Sequence, residues 1–208
     1  MKNMLKELVL NDYLAKLSSS DPVPGGGAAS AISGATAAGL VAMVAALTSG
    51  KKNYEDSWKM MDEVRPEALK IQEELTDLAD KDADSYQAVL DCFKMPKDTD
   101  EEKAARSKAI QTATLEAAKV PLRIAELSSQ IFGMAKQMVL HGNKNAVSDG
   151  AVAALLARAA VHGAVLNVLI NAGSLKDENA REDLRKRCEE LRKMADQQEA
   201  EILKLTNL

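Results

Sequence analysis

The sequence contains few aromatic residues: one Trp, three Tyr and two Phe among 208 residues. Ala, Leu and Met abound instead, and this composition gives a β-sheet little to build on, so it favours an all-α fold. Only two Cys and two His occur, too few for the usual ligand sets of a metal site or for a disulfide framework. We therefore predict no metal site and expect a reducing, cytoplasmic location.

The sequence also lacks an excess of positive charge, with 27 Lys and Arg against 31 Asp and Glu and a formal net charge of -4. Lys and Glu are evenly mixed, and no basic stripe is present to bind a phosphate backbone. We expect no nucleic-acid partner. The N-terminal residues mix Lys, Glu and Asp into an apolar pattern, which differs from a secretory signal, and we expect no targeting segment.

One uncharged stretch, residues 28–48, is long enough to cross a bilayer. Ala, Gly and Ser fill most of it, and these residues gain far less from hydrocarbon than Leu, Ile or Phe do. The preferred interpretation is a central helix that other helices bury, so we expect no membrane partner.

Helical patterns cover most of the chain and predict a single domain over residues 1–208. In several segments apolar residues recur at steps of three and four, as they do when one helix face packs against its neighbours. The segments that start near residues 27 and 148 are small or apolar nearly all round, which suits helices covered by other helices or by a second subunit. We predict an all-α helical bundle of about five to six long helices that oligomerises as a homodimer or higher homo-oligomer, with helices at 3–17, 27–48, 56–93, 99–140, 148–171 and 178–205.

Three local signals refine these helices. Thr99 and Glu102 have the spacing of a capping box at a helix N-terminus. Ser148 is the predicted N-cap of the next helix. Pro121 lies inside the helix at 99–140, where it removes one hydrogen bond and clashes with the carbonyl of Ala117, so we expect a kink or a break there.

The helix at 56–93 carries an acid in its apolar seam, the row of residues that faces its neighbours. The seam reads Val64, Ala68, Ile71, Leu75, Leu78, Asp82, Tyr86, Val89 and Phe93, whereas Asp77, Asp80, Asp84 and Asp91 are expected on the solvated side. An ionised carboxylate on an apolar face is costly, and burial raises its pKa toward the range useful for proton transfer. Asp82 is therefore either a general acid/base or a core acid satisfied by a backbone amide or a Lys.

A glycine-rich turn, PVPGGG, leads into the helix at 27–48. Gly25, Gly26 and Gly27 leave the N–H groups of that helix N-terminus open to an anion or a carbonyl-rich heterocycle, so they are candidate substrate-binding residues. A tight turn without a ligand explains the same residues equally well. The turn lacks the spacing of a nucleotide-binding loop.

Short polar side chains gather at two further places. The loop GNKNAVSDG presents Asn143, Asn145, Ser148 and Asp149 around a helix start. Capping would explain Ser148 and Asp149 but not both asparagines, so a ligand loop is a candidate, and His141 beside it is a candidate proton relay.

Asn167 and Asn171 form the second polar group. They lie four residues apart on one face of the helix at 148–171, with Gly163 one turn earlier. A flat ligand could approach this face closely. Hydrogen bonding between helices is the alternative explanation for both side chains.

Five ordered motifs resemble one known family, the cyclodeaminase/cyclohydrolase family of folate enzymes. The motifs, which cover nearly the whole chain, are PVPGGGAASA with LTSGKKNY, DKDADSYQAVLDCFKMPK, VPLRIAE, GNKNAVSDGAVAALLARAA and GAVLNVLIN. The resemblance implies an all-α dimer with folate sites near the subunit contacts. It also implies that Asp82 is the family's proton donor and acceptor.

The function implied by the resemblance is cyclisation of 5-formiminotetrahydrofolate to 5,10-methenyltetrahydrofolate with release of ammonia. The alternative is hydrolysis of 5,10-methenyltetrahydrofolate to 10-formyltetrahydrofolate, and a second alternative is a non-enzymatic helical oligomerisation module. No cofactor is expected beyond the tetrahydrofolate substrate, polyglutamylated forms included. Lys97 could neutralise a folate carboxylate or be a solvated loop residue, and His141 and Asp149 are the further catalytic candidates.

Overall fold

The computed structural model describes residues 4–207, and every regular element within that range is helical. Short 3-10 turns at Leu5–Glu7, Glu55–Ser57 and Lys144–Ala146 precede three of the helices. The predicted all-α class is confirmed. The α-helices are α1 (Leu10–Leu17), α2 (Gly26–Thr48), α3 (Trp58–Phe93), α4 (Asp100–His141), α5 (Val147–Gly173) and α6 (Glu178–Leu205).

Helix α2 lies at the centre of the bundle, where it packs against α3, α4 and α5. Its small residues let the neighbours approach closely: a Cβ on Gly34 would lie 2.5 Å from Ser128 Oγ and 3.0 Å from Leu75 Cδ1. By length and composition α2 and the span Lys144–Gly173 could each cross a membrane, yet most of the apolar stretch of α2 is buried in the bundle. This burial agrees with the central helix expected at 28–48.

The seam of α3 ends earlier than the sequence pattern predicts. Val64, Ala68, Ile71, Leu75 and Leu78 are buried, as expected, but Tyr86 is 43% and Phe93 52% exposed. The reason is that α2 begins at Gly26, beside Asp82, so the last turns of α3 extend past the end of the helix that covers the rest of the seam.

A kink or a break was predicted at Pro121, and the structure excludes the break: helix α4 runs continuously from Asp100 to His141. Proline has no N–H to donate to the carbonyl of Ala117, four residues earlier. That carbonyl instead accepts a hydrogen bond from Asn171 Nδ2 on α5, at 3.2 Å. The capping box predicted at Thr99 and Glu102 is present at the start of the helix.

The N-terminal segment differs from the helix predicted at 3–17. Residue 3 lies outside the described residues, and Leu8 and Val9 are extended, so the 3-10 turn and α1 are separate. Asp80 accepts the backbone N–H of Leu5 at 2.5 Å. Asp77 accepts Lys6 Nζ at 2.8 Å, so these two acids hold the N-terminal segment on α3 rather than being merely solvated.

Candidate active site

The glycines at the start of α2 make room for the carboxylate of Asp82. A Cβ on Gly27 would lie 2.2 to 2.4 Å from the carboxyl atoms of Asp82, closer than real Cβ contacts come. Only a glycine therefore lets this carboxylate rest against the helix N-terminus. The anion that the glycine turn receives in the structure is the side chain of Asp82 itself.

Burial and one hydrogen bond act in opposite directions on the acidity of Asp82. Desolvation raises the pKa of its carboxyl, and the backbone N–H of Ala28, which donates to the carboxylate, lowers the pKa by a smaller amount. Within residues 4–207 Asp82 has no ion pair. The acid is thus partly satisfied by a backbone amide, one of the two expected alternatives, but no charge compensates it, and it keeps a raised pKa suited to proton transfer.

Two asparagines of α5, both candidate substrate-binding residues, lie beside the glycine turn. Asn167 Nδ2 donates to the carbonyl of Gly163 at 2.8 Å, and a Cβ on Gly26 would come within 3.3 Å of that nitrogen. Asn171 donates to Ala117 on α4, so the interhelical bond considered in the sequence analysis is present for this residue. Among the described residues neither amide oxygen accepts a hydrogen bond, which leaves both available to a ligand donor.

These groups line one cavity of about 310 Å³ between the start of α2, the second half of α3 and the end of α5. That volume is at the lower end of the range typical of small-molecule sites. Six lining residues are candidates from the sequence: Gly25, Gly26, Gly27, Asp82, Asn167 and Asn171. The structure adds Pro22, Val23, Ser85, Tyr86, Val89, Ala117 and Ile170.

The signal for two of the added residues was present in the sequence. Tyr86 and Val89 lie four and seven residues after Asp82, a spacing that puts them on the same helix face as the acid. Their apolar character made them look like a continuation of the core. Ile170 had no such signal, because its exposure depends on where α5 emerges from the bundle.

Apart from Lys97, the other candidate residues lie at the opposite end of the bundle. His141, Asn143, Asn145, Ser148 and Asp149 surround the C-terminus of α2 and the start of α5. The two helices are antiparallel, and the 23 residues of α2 span about 33 Å at 1.5 Å per residue. Within one chain these residues therefore do not meet Asp82, and their role in the reaction stays a prediction.

Asn143 holds this distal loop together. It is 8% exposed, its backbone N–H donates to Thr48 Oγ1 at 2.9 Å, and its Oδ1 accepts Lys51 Nζ at 2.8 Å. Oδ1 also caps the 3-10 turn by accepting the N–H of Asn145. The prediction of Ser148 as N-cap was wrong: the residue before α5 is Ala146, without a side-chain cap, because the 3-10 turn leads directly into the helix.

A second opening of about 640 Å³ lies at this distal end, lined in part by Tyr54, His141 and Lys144. Lys97 is exposed in the turn between α3 and α4 and lines neither this opening nor the Asp82 cavity. In the described part of the chain no cluster of three or more His, Cys, Asp or Glu side chains could hold a metal ion.

Fold and site together define the kind of protein: an all-α bundle whose candidate site is a desolvated acid without a charged partner among the described residues. This acid lies at a helix N-terminus lined by glycines. A sequence profile of the formiminotransferase-cyclodeaminase family matches residues 9–190. The chain belongs to this family, which confirms the resemblance found in its motifs.

The named relatives include both a cyclohydrolase and cyclodeaminases. A methenyltetrahydrofolate cyclohydrolase of Methylorubrum extorquens is 40% identical over 88% of both chains. The formimidoyltransferase-cyclodeaminase of Rattus norvegicus is 33% identical, and the match covers 96% of this chain but 37% of that protein. The crystal structure of formiminotetrahydrofolate cyclodeaminase from Thermotoga maritima superposes with a TM-score of 0.87 at 29% identity, over 98% of both chains.

Proposed function

We propose that this protein is an enzyme that makes or breaks a carbon–nitrogen bond at the one-carbon group of a tetrahydrofolate derivative. The observation that carries the proposal is Asp82: its carboxyl is desolvated, has a raised pKa, lines a ligand-sized cavity and has no cationic partner in the described chain. Such a group can both accept and return a proton during the reaction. Its negative charge also favours the cationic amidine and methenyl species on the reaction path.

One carboxylate suffices for either reaction of the family. In cyclodeamination N10 attacks the formimino carbon, Asp82 takes the N10 proton, and the acid returns a proton to the nitrogen that leaves as ammonia. In hydrolysis water adds to the cationic methenyl carbon, Asp82 takes one water proton and passes it to N5, and the bond from that carbon to N5 breaks. The hydroxyl of the adduct releases the second water proton to solvent as the formyl C=O forms. Both paths use a tetrahedral adduct at the same carbon, so the site geometry accommodates each.

The named relatives support a ranking of the two candidate reactions. The motif resemblance favours cyclodeamination, which the Thermotoga maritima structure supports at 29% identity. The 40% identity to a cyclohydrolase over 88% of both chains supports hydrolysis more strongly. We therefore place hydrolysis of 5,10-methenyltetrahydrofolate first and cyclodeamination second.

The test supplies the purified protein with each folate separately and follows the methenyl absorption band. Loss of the band from methenyltetrahydrofolate, above the uncatalysed rate, identifies the hydrolase, and its appearance from formiminotetrahydrofolate identifies the deaminase. Asp91→Asn is the matched control for an Asp82→Asn variant, because Asp91 lies on the same helix as Asp82 but at the surface, paired with Lys94 at 2.7 Å. If the parent protein produces neither change in the band, the result contradicts the enzymatic proposal and favours an oligomerisation module.

We also propose that the protein acts as a homo-oligomer. Helix α2 carries no charged residue, and α2 and α5 together expose a row of large apolar side chains on one side of the bundle. Buried by a second copy, this row would complete the layer that one chain leaves open. The row consists of Met43 (39% exposed), Leu47 (48%), Val152 (42%), Leu155 (44%) and Leu166 (58%).

A two-fold axis across these helices would place the distal end of one copy over the Asp82 cavity of the other, which gives the distant candidates a route to the site. Light scattering at micromolar concentration should then give at least a dimeric mass, and a monomer would contradict the proposal. Asp82→Asn and His141→Ala variants provide a sharper test. If the site is shared, co-refolding the two inactive variants restores activity, because one site of each hybrid dimer receives both intact residues.

A further inference from the structure

Tyr86 has no structural task in this fold. The other tyrosines have structural contacts: the ring of Tyr13 is buried in the bundle, although its hydroxyl has no partner among the described residues, and the hydroxyl of Tyr54 accepts the backbone N–H of Lys144 at 3.0 Å. Tyr86 is 43% exposed, and its hydroxyl has no hydrogen-bond partner among residues 4–207. An aromatic ring that neither fills the core nor anchors a loop is available to something outside the chain.

The position of Tyr86 indicates what that is. It lies one helical turn after Asp82 and lines the same cavity. Ile170 of α5 lines the same cavity, is 74% exposed and lies one residue before Asn171. A ligand that reaches the carboxylate and the asparagine amides therefore meets an aromatic side chain from α3 and an aliphatic one from α5, a lining suited to a flat ring.

We propose that Tyr86 is a positioning residue that stacks on an aromatic ring of the substrate, with Val89 and Ile170 as the apolar surface around it. This inference rests on the proposed function and names how the site holds its ligand. Tyr86 takes no part in proton transfer. Its ring fixes the plane of the ligand, so that the one-carbon group lies beside the Asp82 carboxylate.

The test compares Tyr86→Phe, which keeps the ring, with Tyr86→Leu, which removes it. Because loss of an aromatic pair weakens binding by roughly tenfold, Tyr86→Leu should raise KM about tenfold and leave kcat and its pH profile nearly unchanged. Tyr86→Phe should match the parent. Phe93→Leu is the control, since Phe93 is an exposed aromatic residue of the same helix that does not line the cavity.

The possible outcomes separate the two proposals. If the parent protein turns over no folate, the proposed function fails. If the parent is active and Tyr86→Leu keeps its KM, only the stacking inference fails. Equal losses in Tyr86→Phe and Tyr86→Leu would assign the effect to the hydroxyl and also overturn stacking, as would a Tyr86→Leu protein that dissociates to a smaller oligomer.

Binding of the two halves of the ligand identifies the ring that stacks. A reduced pterin and p-aminobenzoylglutamate are titrated separately into the parent and Tyr86→Leu proteins. The fragment whose affinity falls carries the stacked ring. Unchanged affinity for both fragments, when both bind the parent, would contradict the inference.

Discussion

Gly27→Ala tests directly whether the position of the Asp82 carboxylate matters. The added methyl group would lie 2.2 Å from Oδ1 of Asp82, whereas ordinary van der Waals contact starts near 3.4 Å. The carboxylate must therefore withdraw by about 1 Å, a displacement that can reduce catalysis by roughly 10²-fold. The atoms that move are the end of a side chain, and Ala favours a helix over Gly, so the stability should change little.

The assay measures kcat with the preferred folate together with the melting temperature. Gly39→Ala is the matched control: its Cβ would meet the end of Gln72 at 2.8 Å, so it places the same methyl group between α2 and α3 far from the cavity. We expect a loss of about 10²-fold in kcat for Gly27→Ala and parental activity for Gly39→Ala. A folded Gly27→Ala protein with parental kcat would refute the argument that this carboxylate works from the helix N-terminus.

Two further predictions concern stability. Asn171→Ala removes the donor to the Ala117 carbonyl and should lower the free energy of unfolding, measured in urea, by about 1–3 kcal/mol. Adding Pro121→Ala supplies the missing N–H within α4 and should recover most of that loss. No recovery in the double variant would contradict this role of Asn171. Burial raises the pKa of Asp82 in the folded state, so ionisation of this acid destabilises the protein. Asp82→Asn should therefore be more stable than the parent at pH values above the raised pKa, and the difference should shrink as the pH falls toward the ordinary pKa of 3.8. A stability difference that does not change with pH in thermal melts would contradict this prediction.

The helices could be predicted closely because their signals are local. The last predicted helix, 178–205, coincides with α6, and the capping box at Thr99 is present. Asp82 could be found because an acid in an apolar row is visible without a structure. The exposure of Tyr86 and Phe93 could not be predicted, because it depends on where another helix, α2, begins.

Two failures share one physical cause, which is that tertiary contacts satisfy groups whose partners are distant in sequence. A kink or a break was expected at Pro121, but α4 is unbroken, and Asn171, fifty residues further on, donates to the carbonyl that Pro121 leaves without an N–H donor. Asp80 was expected in solvent, but it accepts the backbone N–H of Leu5. The separation of His141 from Asp82 within one chain follows from the antiparallel arrangement of α2 and α5, which no local pattern encodes, and the role of His141 stays a prediction.

The central claim is that Asp82 transfers the proton at the one-carbon group. The measurement is the turnover rate of Asp82→Asn with the preferred folate, at a substrate concentration that saturates the variant. Asn keeps the size of Asp but cannot cycle a proton, so we predict a loss of about 10²- to 10⁴-fold in kcat for a protein that folds and binds folate like the parent. A folded Asp82→Asn protein whose kcat stays within about threefold of the parent, far less than a proton-transfer group supplies, would contradict the account.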